Sequence, residues 1–437
     1  MAHDGPKVRK RTIQSLSRLD IPGGGQVRVR GNLAFVGHLN PPYGTSIIDI
    51  SDPRQPKVIA QIKLDSDRSH THKVRVTGDL MLTNVEMHDR HFRRKGFDIP
   101  AIDKRIRAQT GRAATDAELA SELKAPVERI GELRHVAEHG YTEGGFKVYD
   151  IKDPANPKLI AYQKTGGCGV HRFDVCERYA YISTEMEGYK GNILVIYDLA
   201  DPTNIKEVSR WWMPGQHIAG GETPTWKAFQ HRLHHTLRHK NELWAGCWHA
   251  GFYIIDVSDI TKPRTVGHYN YHPPYPEATH TALRVPHKLG GRDICVVADE
   301  EHPHDVNQPH AFMWVFDVSD YNNIKPLSQF HVMDFDAPWR RAHLTPDGEY
   351  GHDVYGPGLH QFQEHIGPDN LLYCAWFSAG LRVVDISDPA APREIASYLP
   401  PPANGFPAPQ SNDIDVDERG LIYLIDREAG FDILEMR

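Results

Sequence analysis

Short apolar runs separated by turn residues make up most of this chain, and one phrase recurs among them. In each copy β-branched or aromatic residues lead into an Asp, a further apolar residue and a Ser/Asp/Pro turn. The copies are IIDISDP (47–53), VYDIKDP (148–154), IYDLADP (196–202), IIDVSD (254–259), VFDVSD (315–320) and VVDISDP (383–389). Such a pattern is typical of a strand that stops abruptly, and its repetition predicts a repeat architecture.

Further strands flank every phrase. A second apolar run follows it, as in KVIAQI (57–62), and two more precede it, as in VRVRGNLAFVG (27–37), so each repeat has four strands. The degenerate last copy, GFDILEMR (430–437), lacks the outermost strand, which TIQSLSRLDIP (12–22) resembles. The pattern predicts an all-β single domain over 1–437, a seven-bladed β-propeller closed by its N-terminal strand.

One segment, 88–142, interrupts the second repeat and is too long for a hairpin loop. It is helical in composition, with a start signal at Thr115 and Glu118. The stretch GRAATDAELASEL resembles a three-helix region of bacterial sigma factors, which would imply DNA contact. Short helical units recur as ordinary packing elements, and the chain is acidic. We therefore interpret the segment 88–142 as a lid, or as an element through which a homo-oligomer forms, rather than as a DNA contact.

The composition of the chain limits the classes of partner that we expect it to bind. The chain has 437 residues, 40% hydrophobic content and a net charge of −7, so no global basic field exists to hold nucleic acid. No apolar run approaches a membrane span, and the five scattered cysteines include no CxxC pair. We expect a soluble cytoplasmic protein that contacts neither nucleic acid nor membrane.

The repeat register separates a few of the 27 histidines from the rest. When the first strands of the repeats are aligned, one position near the strand start holds His in five of them. Since the first strand of a propeller blade borders the central channel, five imidazoles would converge at one mouth. They are His72, His171, His235, His280 and His360, with His234 as the alternative to His235 if the register differs by one residue.

Carboxylates end the second strand in three repeats, just outside this ring. Glu86, Glu185 and Glu300 occupy that position, where they could support metal-ligating imidazoles or act as general base. His249 lies at the same mouth and is a candidate proton shuttle. A structural histidine duplicated with the repeat is the competing explanation, but a ring of imidazoles with no shared partner would be costly to bury.

The IIDISDP phrase and the strand after it resemble the LVIVD repeat, and this resemblance implies a β-propeller. More distantly, the architecture is similar to the selenium-binding protein and methanethiol oxidase group, which implies channel histidines and a copper site. The chain departs from that group because its N-terminal part has no cysteine-centred motif. The arrangement is also similar in logic to the carotenoid cleavage oxygenases, in which four histidines hold Fe(II).

These features predict a metal-dependent enzyme. An imidazole-rich site suits Cu or Fe(II), with Zn or Mn as further candidates. We favour an oxidoreductase or oxygenase acting on a small, partly apolar or aromatic substrate; a hydrolase or lyase on the same site and a non-catalytic binding scaffold are the alternatives. The substrate expectation rests on tryptophans in or near the mouth-side connections: Trp211, Trp212, Trp226, Trp244, Trp248, Trp339 and Trp376.

Overall fold

The structure, a computed structural model, describes residues 10–226, 231–302, 310–332 and 355–437. Within these ranges the chain is all-β apart from a few helices. Trp339 lies outside the described residues, as does most of the connection before the repeat that begins near His360.

The strands follow the repeat in chain order, beginning with β1 (Ile13–Pro22). After β1, each repeat forms one group of successive strands, which we call a meander. The first two meanders are β2 (Gly24–Arg30), β3 (Leu33–His38), β4 (Tyr43–Asp49), β5 (Lys57–Lys63); and β6 (Ser69–His70), β7 (Val74–Thr77), β8 (Leu80–Met87), β9 (Gly145–Asp150), β10 (Lys158–Lys164). The next two are β11 (Gly166–Val175), β12 (Tyr179–Glu185), β13 (Asn192–Asp198), β14 (Lys206–Trp211); and β15 (His231–His239), β16 (Glu242–Trp248), β17 (Phe252–Asp256), β18 (Arg264–Tyr269). The remaining strands are β19 (Ala278–Arg284), β20 (Ile294–Glu300), β21 (Met313–Asp317), β22 (Lys325–Phe330); β23 (Gln361–Phe362), β24 (Leu371–Trp376), β25 (Gly380–Asp385), β26 (Arg393–Tyr398); and β27 (Ser411–Val416), β28 (Leu421–Asp426), β29 (Ala429–Met436).

Consecutive strands within each meander pair antiparallel, except that β6 and β7 both pair with β8. Single residue pairs join two neighbouring meanders into larger sheets, Gly169 with Glu86 and Trp248 with Thr279. The N-terminal strand β1 pairs antiparallel with β29, from Ile13 opposite Met436 onward. These curled antiparallel sheets are consistent with a propeller.

The Asp of each repeat phrase ends its strand by a local hydrogen bond. Its carboxylate accepts from the backbone N–H two residues later, at 2.8 to 3.0 Å, in every full copy: Asp49, Asp150, Asp198, Asp256, Asp317 and Asp385. This is the Asx turn that a short acidic side chain favours. The constant spacing within the six copies of the phrase therefore has a structural cause, the turn that ends each strand.

Apolar side chains pack between neighbouring meanders. Phe252 and Phe316, from β17 and β21, have ring centroids 5.1 Å apart in one such core. Trp211, Trp244 and Trp376 are buried in these cores, so much of the tryptophan content packs the sheets.

The segment between β8 and β9 contains the helices α1 (Arg90–Arg93), α2 (Ile99–Thr110), α3 (Asp116–Leu123) and α4 (Ile130–His139), with 3₁₀ turns at Arg94–Asp98 and Val127–Arg129. Another 3₁₀ turn spans Ile218–Gly220. Thr115 and Glu118 form the capping box that the sequence indicates. None of the described helices is both long and apolar enough to cross a membrane.

Candidate metal centre

Five imidazoles from five meanders lie side by side. We call them the histidine row: His72, His171, His234, His280 and His360. Successive ring centroids are 5.4, 4.8, 4.2 and 4.6 Å apart in that order. The row brings together four of the five histidines that the repeat alignment selects.

The fifth, His235, lies outside the row, and its neighbour His234 takes the place. The pairing of β15 with β16 is irregular between His231 and His235. A bulge of this kind re-aims side chains by one position. His235 instead faces Arg75 at 3.0 Å and Arg172 at 3.3 Å.

Similar irregularities occur at two other members of the row. The β11–β12 register shifts between Val170 and Arg172, around His171. The β19–β20 register shifts between Thr279 and Thr281, around His280. The strands β11, β15 and β19 are therefore irregular at the position where each contributes its histidine to the row. Bulges are often found beside functional sites.

Four members of the row share one hydrogen-bonding arrangement. The Nδ1 of His171 faces the Glu86 carboxylate at 2.9 Å, and the Nδ1 of His234 faces the carbonyl oxygen of His280 at 3.0 Å. The Nδ1 of His280 faces the Thr281 hydroxyl at 2.7 Å, and that hydroxyl donates to Gln361. The Nδ1 of His360 faces the carbonyl oxygen of Asn412.

These oxygen partners assign the ring protons. A neutral imidazole whose Nδ1 faces an acceptor carries its proton there and leaves a lone pair on Nε2. Burial is the main cause that lowers the pKa of His171 to about 3 and the pKa values of His234, His280 and His360 well below the ordinary range. All four rings are therefore neutral at pH 7, with Nε2 free to bind a cation.

The Nε2 atoms of His171 and His234 lie 3.0 Å apart. With both protons on Nδ1, two lone pairs oppose each other at this distance, which is unfavourable unless a cation lies beside them. Two imidazole nitrogens that bind one ion at about 2.1 Å and at a right angle are roughly 3.0 Å apart. The spacing fits two neighbouring ligands of one metal ion.

Glu300 extends the donor set at the other end of the row. Its carboxylate oxygens lie 3.9 Å from Nε2 of His280 and 3.8 Å from Nε2 of His360. The ligand atoms of His234, His280 and Glu300 all lie within 4.8 Å of one another. These donors could share one ion.

A second group with metal-ligand spacing consists of His70, His72 and Glu86. Here the Asn84 amide donates to Nδ1 of His72 at 3.1 Å, because its oxygen is held by the backbone N–H of Lys73. The proton of His72 then lies on Nε2, which points towards Glu86 at 3.8 Å. Hydrogen bonds, rather than an open donor set, account for this group.

Glu86 holds one end of the row in place. Its carboxylate binds Nδ1 of His171, accepts from Arg90 and lies 3.1 Å from Nε2 of His70. Burial opposes its ionisation, but Arg90 and His171 outweigh it and hold the pKa of Glu86 well below its usual range. A carboxylate on the outer nitrogen of a ligating imidazole fixes its orientation and raises its basicity.

Two candidates from the sequence stand apart from the row. Glu185 accepts from Arg94 at 3.0 Å and from the backbone N–H of Cys168 at 3.0 Å. His249 faces the carbonyl oxygen of Pro276 at 2.9 Å. These hydrogen bonds are made with Arg94, Cys168 and Pro276, none of which belongs to the row.

A buried ionic network, which we call the Glu364 cluster, lies beside His235 and comprises Arg28, Arg75, Arg172, His235 and Glu364. Glu364 pairs closely with Arg28 and Arg75, and lies 3.6 Å from both Arg172 and His235. Although burial opposes its ionisation, Arg28 and Arg75 hold the pKa of Glu364 well below its usual range.

Two solved structures align with nearly the whole chain. A chain in a structure of Saccharomyces cerevisiae Dbp5 bound to Nup159, Gle1, IP6 and ADP aligns with a TM-score of 0.51 at 10% identity, covering 98% of this chain and 96% of that one. The computationally designed Ika8 protein aligns at 0.48 and 7% identity over 97% and 99%. At 10% identity, the likeness to the first of these chains concerns the fold alone.

The repeats are then identified by sequence. The chain carries LVIVD repeats, matched at residues 24–62, 244–271 and 369–399. No curated protein matches the chain.

Proposed function

We propose that this chain is a seven-bladed β-propeller closed by the β1–β29 pairing, and that it is a metal-dependent enzyme. The seven meanders are its blades, and the histidine row lies where their first strands meet. The observation that carries the function is the 3.0 Å separation of the Nε2 atoms of His171 and His234, both with an oxygen acceptor at Nδ1.

The Nε2 atoms of His171, His234, His280 and His360 and the carboxylate of Glu300 would hold the ion. This donor set of imidazoles with one carboxylate suits Cu, Fe(II), Zn or Mn, whereas Mg and Ca prefer oxygen ligands. Bound there, Cu or Fe would supply redox chemistry towards oxygen and a small substrate. Glu86 orients His171, and the helical segment supplies Arg90 to hold Glu86.

We favour an oxidoreductase because the site offers four imidazoles, more than the three protein ligands that zinc-assisted hydrolysis needs. The alternative, a hydrolase or lyase, is supported by the compact triple of His234, His280 and Glu300. Three protein ligands and one open position are the usual catalytic zinc arrangement. The identity of the ion separates the two.

Metal analysis of untagged protein, combined with absorption and paramagnetic-resonance spectra, tests the proposal. We expect stoichiometric Cu or Fe with imidazole ligation, and its loss in His171→Ala and His280→Ala. His139→Ala is the matched control, since this histidine is exposed on α4. Stoichiometric Zn without a redox-active ion would favour the hydrolase or lyase, and a chain that binds no transition metal would leave a non-catalytic scaffold.

A further inference from the structure

Arg232 is a buried cation without an ionic partner in the described part of the chain. It is 5% exposed, and its Nη2 has no hydrogen-bond partner. Its guanidinium carbon lies 3.5 Å from the centroid of the Trp248 ring. The indole Nε1 of Trp248 is likewise buried with no hydrogen-bond partner, so two unsatisfied donors lie on stacked groups.

The two carboxylates that favour the charge of Arg232 already have arginine partners. Glu86 and Glu185 favour this charge, whereas Arg90 and Arg94 oppose it. Arg90 pairs with Glu86, and Arg94 pairs with Glu185. Both carboxylates are therefore held by other donors, and neither forms an ion pair with Arg232.

The position of Arg232 relates it to the histidine row. It lies on β15, two residues before His234, and the preceding His231 pairs with Trp248 of β16. The charges of Arg90 and Glu86 act on Arg232, and Glu86 binds His171. The unsatisfied donors therefore lie beside the part of the row that contains His171 and His234.

We propose that Arg232 and the indole N–H of Trp248 bind the carboxylate group of a small monoanionic substrate. A guanidinium fork matches a planar carboxylate through two parallel hydrogen bonds. A single guanidinium group matches the two oxygens and the one charge of a carboxylate better than it matches a phosphate dianion. This inference adds a substrate class to the proposed function. Carboxylate binding itself does not depend on that function; only the statement that the carboxylate is a substrate rests on it.

Calorimetric titration and tryptophan fluorescence with acetate and benzoate test the proposal, with acetamide and benzamide as uncharged matches. We expect at least one carboxylate to bind at least tenfold more tightly than its amide. Arg232→Gln should weaken carboxylate binding at least tenfold, Arg232→Lys should retain part of it, and exposed Arg264→Gln should leave it unchanged. The Arg232→Gln variant should keep its metal content, because Arg232 is not a proposed ligand. It should also fold, because no carboxylate loses an ion-pair partner.

Repeating the titration on chelator-treated protein separates this inference from the metal proposal. Carboxylate binding that persists without metal and depends on Arg232 supports the inference even if no metal is ever bound. Equal binding of carboxylate and amide, no carboxylate binding, or unchanged affinity in Arg232→Gln would overturn it. Arg232-dependent binding of inorganic phosphate in place of the carboxylates would overturn the choice of a monoanion.

Discussion

The Nε2 atoms of His171 and His234 lie 3.0 Å apart, although the two residues come from different meanders. Each ring directs its other nitrogen at an oxygen acceptor, the Glu86 carboxylate for His171 and a backbone carbonyl for His234. The pair is therefore preorganised to present two lone pairs to one ion. The predictions below follow from that arrangement and from its supports.

Replacing His234 and His235 separately distinguishes the row from its neighbour. His234→Ala should abolish or strongly weaken metal binding, because it removes one of the proposed ligands. His235→Ala should keep the metal but lower the free energy of unfolding by about 1–3 kcal/mol, since it removes a buried polar partner of Arg75. Metal content and urea denaturation measure both effects; metal loss confined to His235→Ala would refute the assignment.

Glu86→Gln should weaken metal binding about 10–100-fold, the usual effect of removing an outer partner of a ligating histidine. Competition with a chelator of known affinity measures this. Glu185→Gln is the matched control, since its carboxylate binds Arg94 and a backbone N–H instead of the row. Equal metal affinity in both variants would contradict the role of Glu86.

Glu364→Gln should lower the free energy of unfolding by about 3–5 kcal/mol at pH 7, because it removes the closest counter-charge of two buried arginines, Arg28 and Arg75. The pKa of Glu364 is depressed in the folded state. The carboxylate therefore stabilises the fold above its unfolded pKa, about 4.3, and this stabilisation is lost as the pH falls through the folded value. Denaturation of both proteins should show a gap that is constant from pH 7 to 5 and narrows in stronger acid; a gap that widens in acid would be inconsistent with the pairing.

The repeat phrase should affect stability without affecting the metal. Asp385→Ala removes the carboxylate that accepts from the backbone N–H of Ser387, and should cost about 1 kcal/mol. Thermal denaturation and metal analysis of the same sample check this. Loss of metal at unchanged stability would mean that the phrase has a role beyond its turn.

Much of the architecture follows from the sequence because its signals are local. The Asp turns, the four apolar runs per repeat and the capping box at Thr115 depend on neighbouring residues and appear as expected. The same register also selects His72, His171, His280 and His360, all of which join the row.

The remaining details depend on long-range packing. The bulge that exchanges His234 for His235 arises from the pairing of β15 with β16, and no repeat alignment marks it. Glu185 differs from Glu86 because Arg94 of the helical segment occupies its carboxylate. Arg232 gives no sequence signal, since its significance is that its buried Nη2 has no hydrogen-bond partner in the described structure.

An anomalous-difference map from crystals of the metal-loaded protein, recorded at the absorption edge of the bound ion, tests the central claim most directly. We predict one strong peak per chain, about 2.1 Å from the Nε2 atoms of both His171 and His234, with His280, His360 or Glu300 completing the site. A peak beside His70, His72 and Glu86, or no peak in a map that resolves the sulfur atoms of the buried cysteines, would contradict it.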